Sequence, residues 1–179
     1  RQQSSAASDV YKRQLSTPYD ISTAVFVHNF SLNEDSSSRP FGVRFNNDGS
    51  KMFIAGRSEA KVFEYSLSRK FDISSATYTG NFIDVSAQVD KGKLFGLVFS
   101  PDGTMMFVNE KGADIEHLHQ YSLNKSFDLS GGANFIRSAD LETQTANEAQ
   151  ARGITFNQNG TRLFMVGSGF NEINQYTLS

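Results

Sequence analysis

Three copies of one motif fix most of what this chain can become. "FGVRFNNDGSKMFI" (Phe41–Ile54) returns as "FGLVFSPDGTMMFV" (Phe95–Val108) and again as "RGITFNQNGTRLFM" (Arg152–Met165). A second shared piece follows each copy: "VFEYSL" from Val62, "LHQYSL" from Leu118 and "INQYTL" from Ile173. A third comes directly after: "SRKFDISSA" from Ser68 and "NKSFDLSGGA" from Asn124, with "STPYDISTA" from Ser16 as an earlier copy. Counted from Leu15, Leu67, Leu123 and Leu178, the units are 52, 56 and 55 residues long. A fixed period of that size is the signature of a repeat architecture.

Each unit reads as four short strands. The first, such as Phe41 to Phe45, runs into an Asp-Gly or Asn-Gly turn at Asp48-Gly49, Asp102-Gly103 or Asn159-Gly160. Such turns need positive φ at the glycine and fix the register of a hairpin. The second strand, such as Met105 to Val108, is apolar at every position, so both faces of its sheet must be covered. The third ends at Tyr65, Tyr121 or Tyr176, and the fourth begins after the Phe-Asp-Ile-Ser turn. Sixteen Phe and six Tyr against no Trp fit an all-β composition. The pattern predicts β-propeller blades, each covering its neighbours' faces. The expected fold is therefore an all-β propeller fragment of about three four-stranded antiparallel blades. The repeats span residues 15–66, 67–122 and 123–177, and residues 178–179 begin a fourth. Rings usually need ~4–8 blades, so the expectation is a piece of a larger propeller whose missing blades complete it.

Net charge is −2 and no Lys/Arg block stands out, which speaks against nucleic-acid or anionic-membrane partners. With no cysteine, disulfides, thiolate metal sites and cysteine nucleophiles are excluded. No apolar run approaches the ~18 residues of a membrane helix.

"FSPDGTMMFV" together with "YSL…FDIS" resembles the YVTN/WD40-like β-propeller repeats of bacterial, phage and marine environmental proteins, over Leu15 to Ser179. WD40 repeats proper would show Gly-His and Trp-Asp pairs, and this chain has no Trp. The resemblance implies the fold, and a secreted, cell-surface or virion-associated setting.

Agreement between the copies separates the two ends of the blades. The Asp-Gly and Phe-Asp-Ile-Ser turns lie at one end and are nearly constant. The connections at the other end vary: "GRSEA" from Gly56, "NEKGADIE" from Asn109 and "GSGFN" from Gly167 within blades, with longer inter-blade loops from Ser31, Asp84 and Ser138. Variable loops on a rigid scaffold are where specific binding resides. Glu34, Asp35, Arg39, Arg57, Lys93, Glu110, Arg152 and Phe170 are the candidate binding residues of this face. Over all its loops the face carries Glu34, Asp35, Glu59, Asp90, Glu110, Asp114, Glu116, Asp140, Glu142 and Glu148 against Arg39, Arg57, Lys91, Lys93, Lys111 and Arg152, an acidic excess that suits a cation, a sugar or a basic protein surface.

His117 and His119 lie two apart on a strand, so both imidazoles point to one side. Two ligands fall short of the three or four that zinc needs, and no metal or other cofactor is expected. The Asn46–Gly49 run lacks the bidentate Glu of a calcium loop. No Gly-x-Ser-x-Gly elbow and no phosphate-binding loop occur. The expected function is a non-enzymatic module recognising a protein or glycan. The alternative is a metal-dependent lactonase of the gluconolactonase type, which the fold resembles. Those enzymes draw Glu, Asn and Asp from several blades to a central metal. Here Arg39, Phe41, Lys93, Phe95 and Arg152 begin the innermost strands and are poor ligands, leaving Glu110 as the one suggestive residue.

The first fourteen residues stand outside the repeat. Reverse-translated, "SSAASDVYKRQ" (Ser4–Gln14) resembles a transposase-based sequencing adapter read in frame over eleven codons. Residues 1–14 are therefore expected to form a non-native, disordered tail with few contacts to the blades.

Overall fold

The structure, a computed structural model, describes residues 9–15, 19–32, 39–111, 116–141, 151–167 and 173–178. For 9–15, 116 and 151–152 it defines the backbone path. The described residues contain no α-helix and form four antiparallel sheets. Strands β1 (Asp9–Leu15) and β2 (Ala24–Ser31) make a two-stranded sheet. Strands β3 (Pro40–Phe45), β4 (Lys51–Gly56), β5 (Lys61–Leu67) and β6 (Ala76–Asp84) make a full blade in sequential order. A second blade holds β7 (Leu94–Phe99), β8 (Met105–Lys111), β9 (Glu116–Lys125) and β10 (Asp128–Asp140). The last sheet has β11 (Ala151–Phe156), β12 (Arg162–Gly167) and β13 (Ile173–Thr177). Units counted from Leu15 are out of phase with the sheets. Each carries the outer strand of one sheet and three strands of the next.

The fully apolar second strands explain how the sheets stack. Side chains alternate across a strand, and in β4 Met52 and Ile54 pack with Phe63, Tyr65 and Leu32 toward the β1–β2 sheet. Phe53 and Ala55 point the other way, into a core with Leu94, Leu97, Met106 and Val108 of the next blade. Beyond that blade, Val98 and Phe107 join Ile154, Leu163 and Met165 of the last sheet. The two four-stranded blades are thus each sandwiched between neighbouring sheets, as in a propeller. On β12, Val166 remains 47% exposed, whereas the matching Ala55 and Asn109 are fully buried by a following sheet.

The constant turns interlock. Phe71 and Phe127 adopt positive φ (55° and 47°) and their backbone N–H groups donate to the carbonyls of Gly49 and Gly103. Each ring lies where a Cβ on that glycine would stand. Asp20 and Asp72 cap the following 3₁₀ turns by accepting from the N–H of Ser22 and Ser74. The third copy departs from this: Phe127 leads directly into β10 as a hairpin.

Where the sequence reading expects a disordered opening tail, the structure draws Asp9–Leu15 as β1 in register with β2. The reason is the shared turn. Leu15 pairs with Ala24 as Leu67 pairs with Ala76 across the equivalent Asp-Ile-Ser turn, so "DVYKRQL" takes the place "KVFEYSL" takes in the next sheet. Residues 1–8 lie outside the described residues.

Candidate functional site

At the variable end the connection from Val85 to Lys93, between β6 and β7, acts as a hub. The Gly92 N–H donates to the Arg57 carbonyl at 2.8 Å, and the Arg57 Nε–H donates back to the Gly92 carbonyl. This pins the guanidinium plane. It lies against two rings, 4.9 Å from the Phe41 centroid and 4.3 Å from that of Phe95, which are themselves edge-on at 4.9 Å. Lys111 Nζ approaches the Phe95 ring at 5.3 Å. Two cations against edge-to-face rings on the inner strands of adjacent blades make a positively charged, aromatic-floored cradle. Lys93 adjoins it, with Nζ 2.8 Å from Asp90 Oδ2, a pairing that raises the ammonium above its ordinary pKa.

From the same hub a second cluster is built. The Asp90 N–H donates to Glu110 Oε1 at 3.0 Å. Glu110 pairs across β8–β9 with His117, and Val108 with His119. Directly opposed and diagonal residues share a face, so the register brings both imidazoles to one carboxylate. Glu110 Oε2 lies 3.4 Å from His119 Nε2 and 3.8 Å from His117 Nδ1. His119 is 2% exposed and Glu110 5%. The other ring nitrogen of His119 meets Ser138 Oγ of β10 at 2.8 Å, while Nε2 is buried with no hydrogen-bond partner. Burial, opposed by Glu110, holds the His119 imidazole below its ordinary pKa and so favours the neutral ring.

Of the residues read from the sequence, Arg57, Lys93, Glu110, His117 and His119 come together around this hub. Arg39 is exposed beside it, its carbonyl accepting from the Arg57 N–H at 3.0 Å. Arg152 lies at the irregularity between Ala151 and Gly153 of β11, described by its backbone alone. Glu34, Asp35 and Phe170 lie outside the described residues. His117 and His119, two donors in the sequence reading, meet Glu110 as a third. Lys111 and Asp90, read from the sequence as charges of this face but not among its candidate binding residues, join the site as partners. Their signal was positional, because both sit in loops or strand ends that differ between copies.

No family model and no curated protein matches this chain in sequence. Solved structures do match in shape. A candidate 6-phosphogluconolactonase from Bacteroides fragilis aligns with a TM-score of 0.63 at 13% identity, over 96% of this chain and 45% of that one. The periplasmic gluconolactonase PpgL of Pseudomonas aeruginosa gives 0.61 at 14%, over 96% and 47%. The β-propeller domain of Cps50 (Swd1) from Myceliophteria thermophila gives 0.54 at 10%, over 93% and 49%. The chain folds as part of a β-propeller. It spans less than half the length of the structures it matches. Two of these being named as lactonases corrects the expectation of a non-enzymatic protein.

Proposed function

We propose that this chain is part of a propeller hydrolase that receives a small, anionic, sugar-derived lactone at the variable end of the blades. The observation that carries this reading is the Arg57 cradle. A guanidinium fixed between Phe41 and Phe95, beside Lys111, offers charge for a carboxylate or phosphate and apolar ring faces for a sugar. Recognition of a saccharide at this face keeps the sequence-based expectation of glycan binding and assigns it to a substrate. The Glu110–His117–His119 cluster is reached through the same loop, by way of Asp90. The names of the lactonase-like neighbours support the choice of lactone over other esters. Further blades, covering the exposed face of β12, would close the ring around the channel.

The test is hydrolysis of 6-phosphogluconolactone and glucono-δ-lactone, followed in a pH-stat against the spontaneous rate. Turnover is expected, with Arg57→Ala raising KM for the phosphorylated lactone at least about tenfold, the loss of one charge-assisted contact. Rates equal to buffer for both lactones, in folded protein, would sink the reading.

A further inference from the structure

We propose that Glu110, His117 and His119 hold a divalent first-row transition metal of the zinc class, with an open coordination position. The three donor atoms lie within 4.8 Å of one another on one face of β8–β9. Tetrahedral coordination with bonds of ~2.0–2.1 Å places ligand atoms about 3.3–3.4 Å apart. The His119–Glu110 separation of 3.4 Å already meets this, and the 3.8 Å of His117–Glu110 needs only a small side-chain adjustment. Two imidazoles and one carboxylate are also a ligand set that zinc uses where a fourth site stays free for water.

The independent observation is the state of His119. Its Nε2 is buried, faces Glu110 and makes no hydrogen bond. An unbonded polar atom in such a place costs free energy that a bound cation would recover. Its surroundings are those of a ligand. Ser138 Oγ, 2.8 Å from Nδ1, can accept from Nδ1–H, the tautomer that leaves the Nε2 lone pair available to a metal. Asp90 N–H occupies Glu110 Oε1 and leaves Oε2 turned to the imidazoles. The matching residues of the flanking sheets are Phe63 and Asn174, and the position of Glu110 is taken by Gly56 and Gly167. The set therefore belongs to this blade alone and is not part of the repeat.

Metal binding stands apart from lactone turnover. Only its use, to activate a water beside the Arg57 cradle, rests on the proposed activity. The site belongs to strands two and three of one blade, with Glu110 paired to Leu94 of the innermost strand.

The experiment is titration of tag-free, chelator-treated protein with Co²⁺, read by visible d–d absorption, and with Zn²⁺ by calorimetry. One ion per chain is expected. Glu110→Gln and His119→Phe should each weaken binding at least about a hundredfold, and Ser138→Ala about tenfold. Phe occupies the His119 position in the preceding blade, and circular dichroism verifies folding. If His119→Phe fails to fold, the half-buried His117→Ala carries the same test. Absence of saturable binding, or affinity unchanged in folded Glu110→Gln and His117→Ala, would overturn the site. Metal binding without hydrolysis would support it while removing the lactonase reading. Hydrolysis without metal binding would do the reverse.

Discussion

The backbone N–H of Leu129 donates to Glu64 Oε2 at 2.8 Å, tying the outer strand of one blade to the third strand of its neighbour. Glu64 is 1% exposed, yet it is not stranded. Asn81 Nδ2 donates to Oε1, and Lys51 Nζ lies 3.2 Å from both Glu64 Oε2 and Asp128 Oδ2. The carboxylate thus satisfies partners from both blades in a place where no water can substitute. Removing it with Glu64→Ala should destabilise by about 2–3 kcal/mol, chiefly by leaving the Leu129 donor unmade. Gln stands at the matching positions 120 and 175, so Glu64→Gln should lose only about 1 kcal/mol. Urea midpoints of the three proteins decide it. Equal midpoints for parent and Ala variant would show that the blades do not depend on this carboxylate.

Gly103 and Phe127 should prove strongly coupled. Gly103 sits at φ 69°, and a Cβ there would stand 2.0 Å from the Phe127 ring. Gly103→Ala therefore meets two penalties: the left-handed backbone, about 1 kcal/mol, and displacement of a ring packed against Phe53 and Phe99. In a Phe127→Ala background only the first remains. A double-mutant cycle by thermal unfolding should show a coupling of about 1–3 kcal/mol, and additivity within ~0.5 kcal/mol would refute the interlock.

The scaffold was legible because its rules are local and recur. The Asp-Gly and Phe-Asp-Ile-Ser turns dictate hairpins at short range, and the continuous apolar run from Met105 to Val108 requires cover on both faces. The same locality hid β1. "DVYKRQL" shares with "KVFEYSL" only Val10 and Leu15, with Tyr11 against Phe63. Its pairing is set by the Asp20 turn and the free edge of β2, which sequence identity does not display. The site was half legible. The His117/His119 spacing puts two rings on one face, but Glu110 reaches them only through the β8–β9 register. That register depends on the length of a loop unlike those of the other copies. The stacking of Arg57 on Phe41 and Phe95 joins two blades and has no sequence signal at all.

Acid should loosen the constant end first. Asp20, Asp48, Asp102 and Asp128, all in the constant turns, each hold a carboxyl below the ordinary value of 3.8, and the first cause is always a hydroxyl donor: Ser22, Ser50, Ser100 and Ser130 respectively. The folded state therefore binds these protons less readily than the unfolded chain. Their contribution is complete above about pH 4–5 and is lost as pH falls through 3.8 toward the folded values. Asp102→Asn should keep the turn, since Asn159 accepts from Thr161 in the same geometry. It should also remove one group from the acid limb. Carboxyl NMR titration measures this directly, and an Asp102 titrating at or above 3.8 would contradict it.

Gly42 and Gly96 share one place in the repeat but should respond oppositely to alanine. A Cβ on Gly96 would stand 2.1 Å from Asn109 Oδ1, whose residue is fully buried between the blades. At Gly42 the paired residue is Ala55, and the nearest atoms are at 3.4–3.6 Å, ordinary contact. Neither glycine has positive φ, so the neighbour alone makes the difference. Gly96→Ala must push the Asn109 amide from its site, at about 1–3 kcal/mol. Gly42→Ala should be neutral or stabilise by up to about 1 kcal/mol by restricting the unfolded chain. Asn109→Ala recreates the Gly42 environment, so the double variant Gly96→Ala/Asn109→Ala should be more stable than Gly96→Ala alone. Chemical denaturation of the parent and the four variants measures each step. A Gly96→Ala penalty that persists undiminished in the Asn109→Ala background would place its cause in the backbone of β7 instead of in the facing amide.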